Sequence, residues 1–452
     1  MLFGFFICYN HMMIIYNAGV YKEEMFMSIK MKFKRLVKDY AKNHKNFRKF
    51  AKAINYKYET TKYLRGLLNI ETDEKLIYFS TFNGKGYSDS PKAIYEAMLK
   101  DSRFNDYKFV WVFEDPEKYK YLESNRNTSL VKRLSKEEID VIKRAGYWIT
   151  NYRMLDFYIP KDNQKYIQCW HGTPLKRLGF DLKNSANAMN SAKEIYEKYA
   201  RDTERFTYFI SPGKWASSKF RTAWNMKYYG KEDSIIEEGY PRNDMLLNAT
   251  EQDVEEIKTK LNLTNIGSKK IILYAPTWRD NQYTKSIGYT YEANVNFDLL
   301  EEVLSEDFII LFRAHYLVAN QFNFEKHKGF VYDVSEHSDI NELYLISDML
   351  ITDYSSVFFD YANLKRPIIH YMYDFEEYRD ELRGFYLSLD ELPGPIVKTE
   401  EDLVRQVKQL DYSFEIDEKY RKFNDKFNYL DDGRASERVI ERIFFGNEKS
   451  NN

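Results

Sequence analysis

His171 lies in the short motif WHGTPLK, directly after the run Tyr166–Cys169, which predicts a strand. Parallel sheets bind ligands beyond the carboxyl ends of their strands, so His171 is expected to face a cleft. Gly172 permits a tight turn, and Thr173 and Pro174 suit the cap and first turn of a helix. A histidine placed there can act as a general base near neutral pH, and we take Gly172 and Thr173 as substrate-binding candidates. The alternative is a histidine that only packs at a turn; the surrounding motif favours catalysis.

A second candidate pair, Arg313 and His315, follows the predicted strand Phe308–Phe312. Alternation along an extended chain places both side chains on the same side. Together they offer cationic or hydrogen-bonding groups to a phosphate. A surface pair at a strand end is the alternative, and this signal alone does not separate the two.

The sequence MLITDYSSVFFD, which begins at Met349, predicts a buried strand that runs directly into a helix. Ser355 and Ser356 open that helix, and their hydroxyls with its free amides form an anion site suited to pyrophosphate. Asp360, one turn further, can accept hydrogen bonds from ribose hydroxyls, and Asp353 is a further substrate-binding candidate. Ordinary helix capping explains the serines alone, whereas the whole constellation favours nucleotide binding.

Two loops with the sequences GYPRND and YAPTWRD also follow predicted strands and are expected to line the same cleft. Arg242 and Arg279 suit a phosphate, and Tyr240 and Trp278 suit stacking on a ring. Arg242 and Thr277 are therefore candidate substrate-binding residues. Loop-stiffening prolines with capping polar residues explain these patterns equally well, so both interpretations stay open.

Several common catalytic patterns are missing from the sequence. There is no Walker loop, no GxGxxG after a strand, no GxSxG elbow, no HExxH and no evident DxD motif. The two cysteines, Cys8 and Cys169, exclude a disulfide framework and a cysteine zinc site. We therefore expect no resident cofactor or metal, and leave a divalent cation open.

The elements that must position these residues are short apolar runs that alternate with helical patterns from about Leu76 onward. Such alternation is typical of parallel sheets covered by helices on both faces. The predicted helices include Pro91–Lys100, Lys136–Ala145 and Asp339–Ile346. The predicted strands are Leu76–Ser80, Lys108–Phe113, Tyr147–Asn151, Tyr166–Cys169, Thr207–Ser211, Ser234–Glu237, Ile271–Tyr274, Phe308–Phe312, Met349–Thr352 and Pro367–Tyr371.

Ten strands exceed one sheet, so the predicted fold class is α/β with two doubly wound, Rossmann-like domains. We expect an apolar and basic amphipathic segment over 1–70 and a first Rossmann-like domain over 71–240. A second such domain is expected over 241–412, followed by C-terminal helices over 413–452.

The charge of the chain is strongly asymmetric. The 452 residues have a formal net charge of -1, which argues against a dedicated nucleic-acid binder. Residues 28–70 nevertheless carry 13 basic and two acidic side chains, and their apolar residues follow helical spacing. Such a helix suits an anionic membrane surface. A basic solvated face on an ordinary packed helix is the alternative.

The first 26 residues are apolar but interrupted by polar residues. Their apolar runs are shorter than the roughly 20 residues that a spanning helix needs. Met27 begins a natural start of translation, MSIKMKFKRL. Residues 1–26 are therefore either an over-extended gene prediction or a short segment that touches the membrane.

Together the motifs resemble the CDP-glycerol glycerophosphotransferase family, the teichoic acid primases and polymerases of Gram-positive bacteria. The resemblance covers roughly Tyr166 to Tyr386, whereas Leu76–Asn151 shows only a generic pattern. It implies a glycosyltransferase-B-like fold, with an acceptor-side first domain, a CDP-alditol-binding second domain and peripheral attachment to the cytoplasmic face of the membrane. The matching motifs, in family order, are WHGTPLK (170–176), GYPRND (239–244), YAPTWRD (274–280), RAH (313–315), the run 347–371 and RGFY (383–386).

The resemblance also implies the chemistry: an acceptor hydroxyl attacks the β-phosphorus of a CDP-alditol, and CMP leaves. It assigns His171 as the base and places His315, with Arg313, at the donor pyrophosphate. The two serines that open the predicted helix would hold phosphate oxygens, and Asp360 the ribose. The implied partners are CDP-glycerol or CDP-ribitol, a lipid-linked polymer or disaccharide acceptor and an anionic membrane, with no nucleic acid; the patterns set no oligomeric state.

Two other functions remain open at this point. A nucleotide-sugar glycosyltransferase of capsule or wall polymer synthesis would share the predicted pyrophosphate site and transfer a sugar instead. A non-catalytic, membrane-associated scaffold would release no nucleotide with any donor. The presence of both His171 and His315 in their motifs favours an enzyme.

Overall fold

The computed structural model describes residues 44–182, 192–277, 283–284, 288–289, 295–314, 323–375 and 384–446. The chain divides into two compact units, Met1–Leu68 and Asn69–Asn452. In the first unit, helix α1 spans Lys45–Leu64, which lies within the predicted basic segment. That this segment is amphipathic and binds a membrane stays a prediction. The rest of that segment and residues 1–26 lie outside the described residues.

A sheet of seven parallel strands forms the first half of the second unit. Its strands are β1 (Asp73–Ser80), β2 (Lys108–Phe113), β3 (Thr128–Lys132), β4 (Ala145–Thr150), β5 (Lys165–Gln168), β6 (Tyr208–Ser211) and β7 (Ile235–Glu237). The helices between them are α2 (Asp89–Lys100), α3 (Lys136–Arg144), α4 (Ala192–Arg205) and α5 (Lys214–Ala223). The order β3-β2-β1-β4-β5-β6-β7 winds outward from β1 in both directions, which is the Rossmann order.

A second parallel sheet repeats this order. Its strands are β8 (Lys270–Ala275), β11 (Phe308–Phe312), β12 (Val331–Asp333), β13 (Met349–Thr352), β14 (Ile368–Tyr371) and β15 (Ile396–Val397). The short strands β9 (Tyr283–Thr284) and β10 (Gly288–Tyr289) pair antiparallel in a separate two-stranded sheet. The sheet order is β12-β11-β8-β13-β14-β15, so β8 takes the central place that β1 has in the first sheet.

Further helices follow β7, and most of them cover the second sheet. They are α6 (Asp244–Asn248), α7 (Glu251–Lys260), α8 (Phe297–Leu304), α9 (Ile340–Ile346), α10 (Val357–Tyr361), α11 (Glu400–Ser413), α12 (Glu418–Phe427) and α13 (Ala435–Ile440). Neighbouring residues of β8 belong to different hydrophobic clusters: Ile271 and Leu273 to one, Ile272 and Tyr274 to the other. The sheet is thus buried on both faces, which is why its strands are apolar throughout.

The C-terminal residues return to the first sheet. Phe423 of α12 packs in a cluster with residues of the second sheet, whereas Val439 and Ile440 of α13 pack with Ile77 and Trp111 of the first. Two helices, α12 and α13, lie in the range 413–452, for which C-terminal helices are predicted. The domain boundaries at 70, 240 and 412 stay a prediction, although all strands of the first sheet precede residue 240 and all strands of the second follow it.

All ten predicted strands are confirmed, three of them with the predicted bounds and the others with shifts of one to three residues at their ends. Three strands of the two main sheets escaped prediction: β3, β12 and β15, each of which lies at a sheet edge. An edge strand has one neighbour and is less covered, so it lacks the continuous apolar run of a central strand. Residues of β3, for example, are half-buried or exposed throughout.

Candidate active site

The chain bends sharply between the end of β5 and His171. The N–H of Cys169 still follows the sheet, donating to the carbonyl of Thr150 at 2.7 Å. Trp170 then adopts a left-handed φ of 52°, and its N–H donates to Gln168 Oε1 at 3.0 Å. This backbone conformation costs a non-glycine residue roughly 1–3 kcal/mol and persists only where the surroundings enforce it. The bend places His171 at the carboxyl end of the sheet.

The tautomer of His171 is determined by its partner. Its Nδ1 lies 2.7 Å from the backbone carbonyl oxygen of Asn151, the residue that follows β4. A carbonyl oxygen only accepts hydrogen bonds, so Nδ1 carries the hydrogen. In the neutral ring Nε2 therefore holds the lone pair and can accept a proton.

Two aromatic rings flank the His171 imidazole. The Phe82 ring centroid lies at 5.9 Å and the Trp170 ring centroid at 4.2 Å. His171 nevertheless stays exposed to solvent. It is thus held in place and still accessible to a substrate.

The pKa of His171 is lowered from its ordinary value. The largest cause is the loss of hydration among the surrounding protein atoms, and the positive charges of Arg153 and Arg242 act in the same direction. The hydrogen bond to the Asn151 carbonyl and the negative charge of Asp89 partly oppose this shift. His171 is therefore neutral near pH 7, which is the form a general base needs.

The His171 loop meets the serine loop of the second sheet. A β-carbon placed on Gly172 would lie 3.0 Å from the hydroxyl oxygen of Ser356. Ser355 and Ser356 are half-buried and lie between the end of β13 and the start of α10. The candidate base and the candidate phosphate-binding serines are thus on facing loops.

The expectation that Thr173 and the following proline begin a helix is wrong. Thr173 is buried, and the chain continues in extended form. Leu175 and Arg177 instead pair with the second half: the N–H of Tyr386 donates to Leu175 at 2.9 Å, and that of Arg177 to Gly384 at 3.1 Å. Leu175 also packs in the hydrophobic cluster of the second sheet. These long-range contacts outweigh the local helix-start signal.

Asp353 and Thr277 are brought together at the carboxyl ends of β13 and β8. Asp353 is 2% exposed, and its Oδ1 accepts the N–H of Thr277 at 2.8 Å and of Tyr354 at 2.6 Å. The carboxylate therefore shapes the two loops next to the serines.

Arg242 and Asp360 are buried and bind one another. Nη2 of Arg242 donates to the two Asp360 oxygens at 3.1 and 2.9 Å, and Nη1 faces Asp89 Oδ1 at 3.4 Å. Asn243 Nδ2 also donates to Asp360, at 3.1 Å. Substrate contact by either Arg242 or Asp360 would require these bonds to open, so their predicted phosphate and ribose contacts are not favoured by this arrangement.

Arg313 lies at the end of β11, as predicted. Its Nη1 donates to the carbonyls of Val334, at 3.3 Å, and His337, at 2.6 Å. His315, Trp278 and Arg279 lie outside the described residues, so their predicted roles stay predictions.

Sequence reasoning misses Asp89, Phe82 and Asn151, which surround His171. The available signal was their position, because Asn151 directly follows β4, and Phe82 and Asp89 follow β1. The rule that ligands bind beyond strand ends, applied to the first sheet as it was to the second, points to these residues.

No metal site emerges from the described part of the chain. Among those residues, no group of three or more His, Cys, Asp or Glu side chains lies close enough to hold an ion. Nor does any helix there combine the length and apolar character that crossing a bilayer requires.

Two Rossmann-type sheets whose strand-end loops meet are typical of proteins that bind nucleotides. The family described as CDP-glycerol:poly(glycerophosphate) glycerophosphotransferase matches residues 62–445, and the chain belongs to this family.

Curated relatives agree with this assignment. The chain is 42% identical over 373 residues to a teichoic acid poly(glycerol phosphate) polymerase of Staphylococcus epidermidis, a match that covers 82% of this chain and 50% of that protein. A polymerase of the same name from Bacillus subtilis is 38% identical, over 94% of this chain and 55% of the relative. The chain thus spans about half the length of these two relatives. A teichoic acid glycerol-phosphate transferase of Staphylococcus aureus is 40% identical, over 86% of this chain and 96% of the relative.

Solved structures of the wall teichoic acid polymerase TagF share the fold. One superposes with a TM-score of 0.74 and 38% identity, covering 85% of this chain and 96% of that one. A TagF variant soaked with CDPG gives the same TM-score at 37% identity and the same coverage.

Proposed function

We propose that the chain transfers glycerol phosphate from CDP-glycerol to a hydroxyl of a membrane-linked acceptor, releasing CMP, in the synthesis of teichoic acid or a related wall polymer. The observation that carries the proposal is the neutral, accessible His171, whose Nε2 is left to accept a proton beside the loop of Ser356. Family membership supports the donor class.

The relatives favour glycerol over ribitol as the transferred alditol. Those named for glycerol phosphate include matches of 38 to 42% identity, whereas those named for ribitol phosphate are 27 to 36% identical. CDP-glycerol is therefore the proposed donor, and CDP-ribitol is the second candidate.

The two sheets fit a glycosyltransferase-B-like arrangement of two domains. Their order is the same, the loops at their carboxyl ends meet at Gly172 and Ser356, and α13 returns to the first sheet. In this proposal the first sheet carries the acceptor side with His171, and the second carries the CDP-alditol side with Ser355 and Ser356.

The proposed step is an in-line substitution at the β-phosphorus. The acceptor oxygen forms the new P–O bond while its proton moves to Nε2 of His171. The bond from the β-phosphorus to the bridging oxygen breaks, and CMP leaves with that oxygen and its electron pair. Such reactions depend mostly on positioning and electrostatic stabilisation. Ser355 and Ser356 would hold phosphate oxygens, and Arg313 with His315 would stabilise charge on CMP.

The first prediction tests His171 directly. His171→Ala should lose roughly 10²–10⁴-fold in CMP release, the usual contribution of a general base, while CDP-glycerol binding is kept. Turnover is measured with labelled donor and acceptor, and binding by calorimetry. His327→Asn is the matched control, because His327 is a buried histidine of the second half, hydrogen-bonded to Glu301. Wild-type turnover in His171→Ala would contradict the base assignment.

A donor panel separates the competing functions. CMP release with CDP-glycerol or CDP-ribitol supports the proposal, UDP release with a UDP-sugar supports a glycosyltransferase, and no release with any donor supports a scaffold. No resident cofactor is proposed, and the assay is run with and without EDTA to test a divalent cation. The proposed location is the cytoplasmic face of the membrane, by peripheral attachment, with no nucleic acid as a partner.

A further inference from the structure

Three polar groups of Asn151 have partners that determine its orientation. The backbone carbonyl accepts the Nδ1 hydrogen of His171 at 2.7 Å. The side-chain oxygen accepts the N–H of Phe82 at 2.8 Å, and the side-chain nitrogen donates to Asp89 Oδ2 at 3.0 Å. A backbone N–H only donates and a carboxylate only accepts, so these partners define which way the amide points.

Asp89 supports Asn151 from a strained backbone conformation. It is the first residue of α2, is 8% exposed and has a left-handed φ of 62°. Its carboxylate also accepts the N–H of Ser90 and faces Nη1 of Arg242. Strained residues of this kind persist where the surroundings over-determine them and cluster at functional sites.

Arg242 connects Asp89 to the second sheet. Its other nitrogen, Nη2, binds both oxygens of Asp360 in α10, the helix that begins directly after Ser356. Buried ion pairs are weak evidence for stability, because well-packed apolar residues often stabilise a protein equally well. Asp89, Arg242 and Asp360 are three buried charged groups between the His171 loop and the serine loop. Their presence is therefore better explained by the geometry that they impose on these loops.

We propose that Asp89 and Asn151 are positioning residues for His171, and that Arg242 links them to α10. This inference rests on the proposed function, because it assumes that Nε2 of His171 accepts the proton. The hydrogen bond to Asp89 fixes the Asn151 side chain, and the fixed side chain orients the Asn151 backbone carbonyl. That carbonyl in turn keeps the hydrogen on Nδ1 of His171. Neither Asp89 nor Asn151 contacts a substrate in this scheme.

Asp89→Asn keeps the shape of the side chain and removes its charge. We expect kcat to fall roughly 10- to 100-fold, the range seen when groups that orient an imidazole are changed, with KM for CDP-glycerol little altered. The acidic limb of the kcat/KM profile should also move to lower pH. The reason is that Asp89 raises the pKa of His171, whereas Arg153 and Arg242 lower it.

The tautomer of His171 gives a readout that does not depend on turnover. It is measured by ¹⁵N NMR of the full chain with labelled histidine, and the His171 signal is assigned from its loss in His171→Gln. Wild-type protein should show hydrogen on Nδ1, and both Asp89→Asn and Asn151→Ala should reduce that form.

Asp339→Asn is the matched control. Asp339 is 3% exposed, accepts from Lys92 Nζ at 2.8 Å and also joins the two halves, but it makes no bond to Asn151 or His171. Its loss should lower the unfolding temperature and leave the tautomer and the pH profile unchanged.

An unchanged tautomer and unchanged turnover in Asp89→Asn and Asn151→Ala would overturn the proposal. If Asp89→Asn does not fold, Asn151→Ala decides, because it leaves the Asp89–Arg242 pair in place. If His171→Ala retains turnover while the tautomer still depends on Asp89 and Asn151, the base assignment fails and the link from Asp89 to His171 stands.

Discussion

At the scale of single residues, access to solvent separates His171 from the other histidine that faces a carbonyl, His370. His370 is fully buried, its Nε2 lies 2.9 Å from the carbonyl oxygen of Pro393, and burial lowers its pKa to about 4. His171 has the same kind of partner but remains exposed. Both rings are neutral at pH 7, yet of the two only His171 is accessible to a substrate, so its exposure and not its pKa supports the proposed role as the base.

The pH profile of the free enzyme tests the state of His171. The neutral form is the base, so kcat/KM should fall as the pH drops through the His171 pKa. The surroundings lower that pKa, so the midpoint of the acidic limb should lie below about 6.5, the ordinary value for histidine. Rates are measured from pH 4.5 to 8. A midpoint above 6.5, or the same limb in the residual activity of His171→Ala, would contradict this assignment.

At the scale of elements, the described residues that follow β5 contact both the first sheet and the residues packed on the second. This segment leaves the first sheet at Cys169, carries His171 and then pairs with the chain around Phe385. Tyr386 strengthens this pairing, because the N–H of Leu178 donates to its hydroxyl at 3.3 Å. The pairing of this extended chain with the residues around Phe385 fixes the distance between the His171 loop and the serine loop. A helix at this place would not make that pairing.

The contact between Gly172 and Ser356 makes that distance testable. Gly172→Ala would place a methyl group 3.0 Å from the Ser356 hydroxyl, so that hydroxyl must move by a few tenths of an ångström. We expect kcat/KM to fall by up to roughly tenfold, because a displacement of about 1 Å in a reactive site can cost about 10²-fold and this displacement is smaller. The measurement is CMP release with CDP-glycerol.

A double variant is the control for this prediction. Ser356→Ala removes the oxygen that the new methyl group would meet. The combination of Gly172→Ala with Ser356→Ala should therefore be no slower than Ser356→Ala alone. Simple addition of the two losses would show that the contact is not the cause.

At the scale of the whole molecule, residues 69–452 form one compact unit although they contain two sheets. The chain passes from the first sheet to the second near residue 240 and returns to the first after α12. Each hydrophobic core therefore contains residues from the part of the sequence that surrounds the other sheet's strands. Val439 in the first core and Leu175 in the second are examples. All described candidate site residues lie within this unit.

Truncation tests the separate role proposed for the N-terminal segment. Removal of residues 1–60 should weaken binding to anionic liposomes and leave CDP-glycerol affinity nearly unchanged, because the basic charge of residues 28–70 is largely lost. Binding is measured by co-sedimentation with phosphatidylglycerol vesicles. A full-length variant with the lysines of residues 28–60 changed to glutamine is the matched control for charge. Equal liposome binding by the truncated chain would contradict the membrane role and favour an ordinary packed helix.

Prediction from sequence succeeds where a local pattern reports the environment. A central parallel strand is buried on both faces and must be apolar along its length, so β2, β11 and β13 were predicted with correct bounds. Three of the four edge strands of the two main sheets, β3, β12 and β15, lack that pattern and were missed. For the site, the strand-end rule found His171, Gly172 and Ser356, which the structure brings onto facing loops. It was not applied to the end of β4, so Asn151 was missed.

The sequence by itself determined the fold class, the order of the motifs and the place of the candidate base at a strand end. These depend on local periodicity and on which side chains follow each apolar run. Only the tertiary structure decided that residues after His171 are extended and that Arg242 meets Asp89 and Asp360, which lie 153 and 118 positions away along the chain. The physical reason is that such contacts depend on how two sheets pack, and packing between distant segments leaves no periodic pattern in either one.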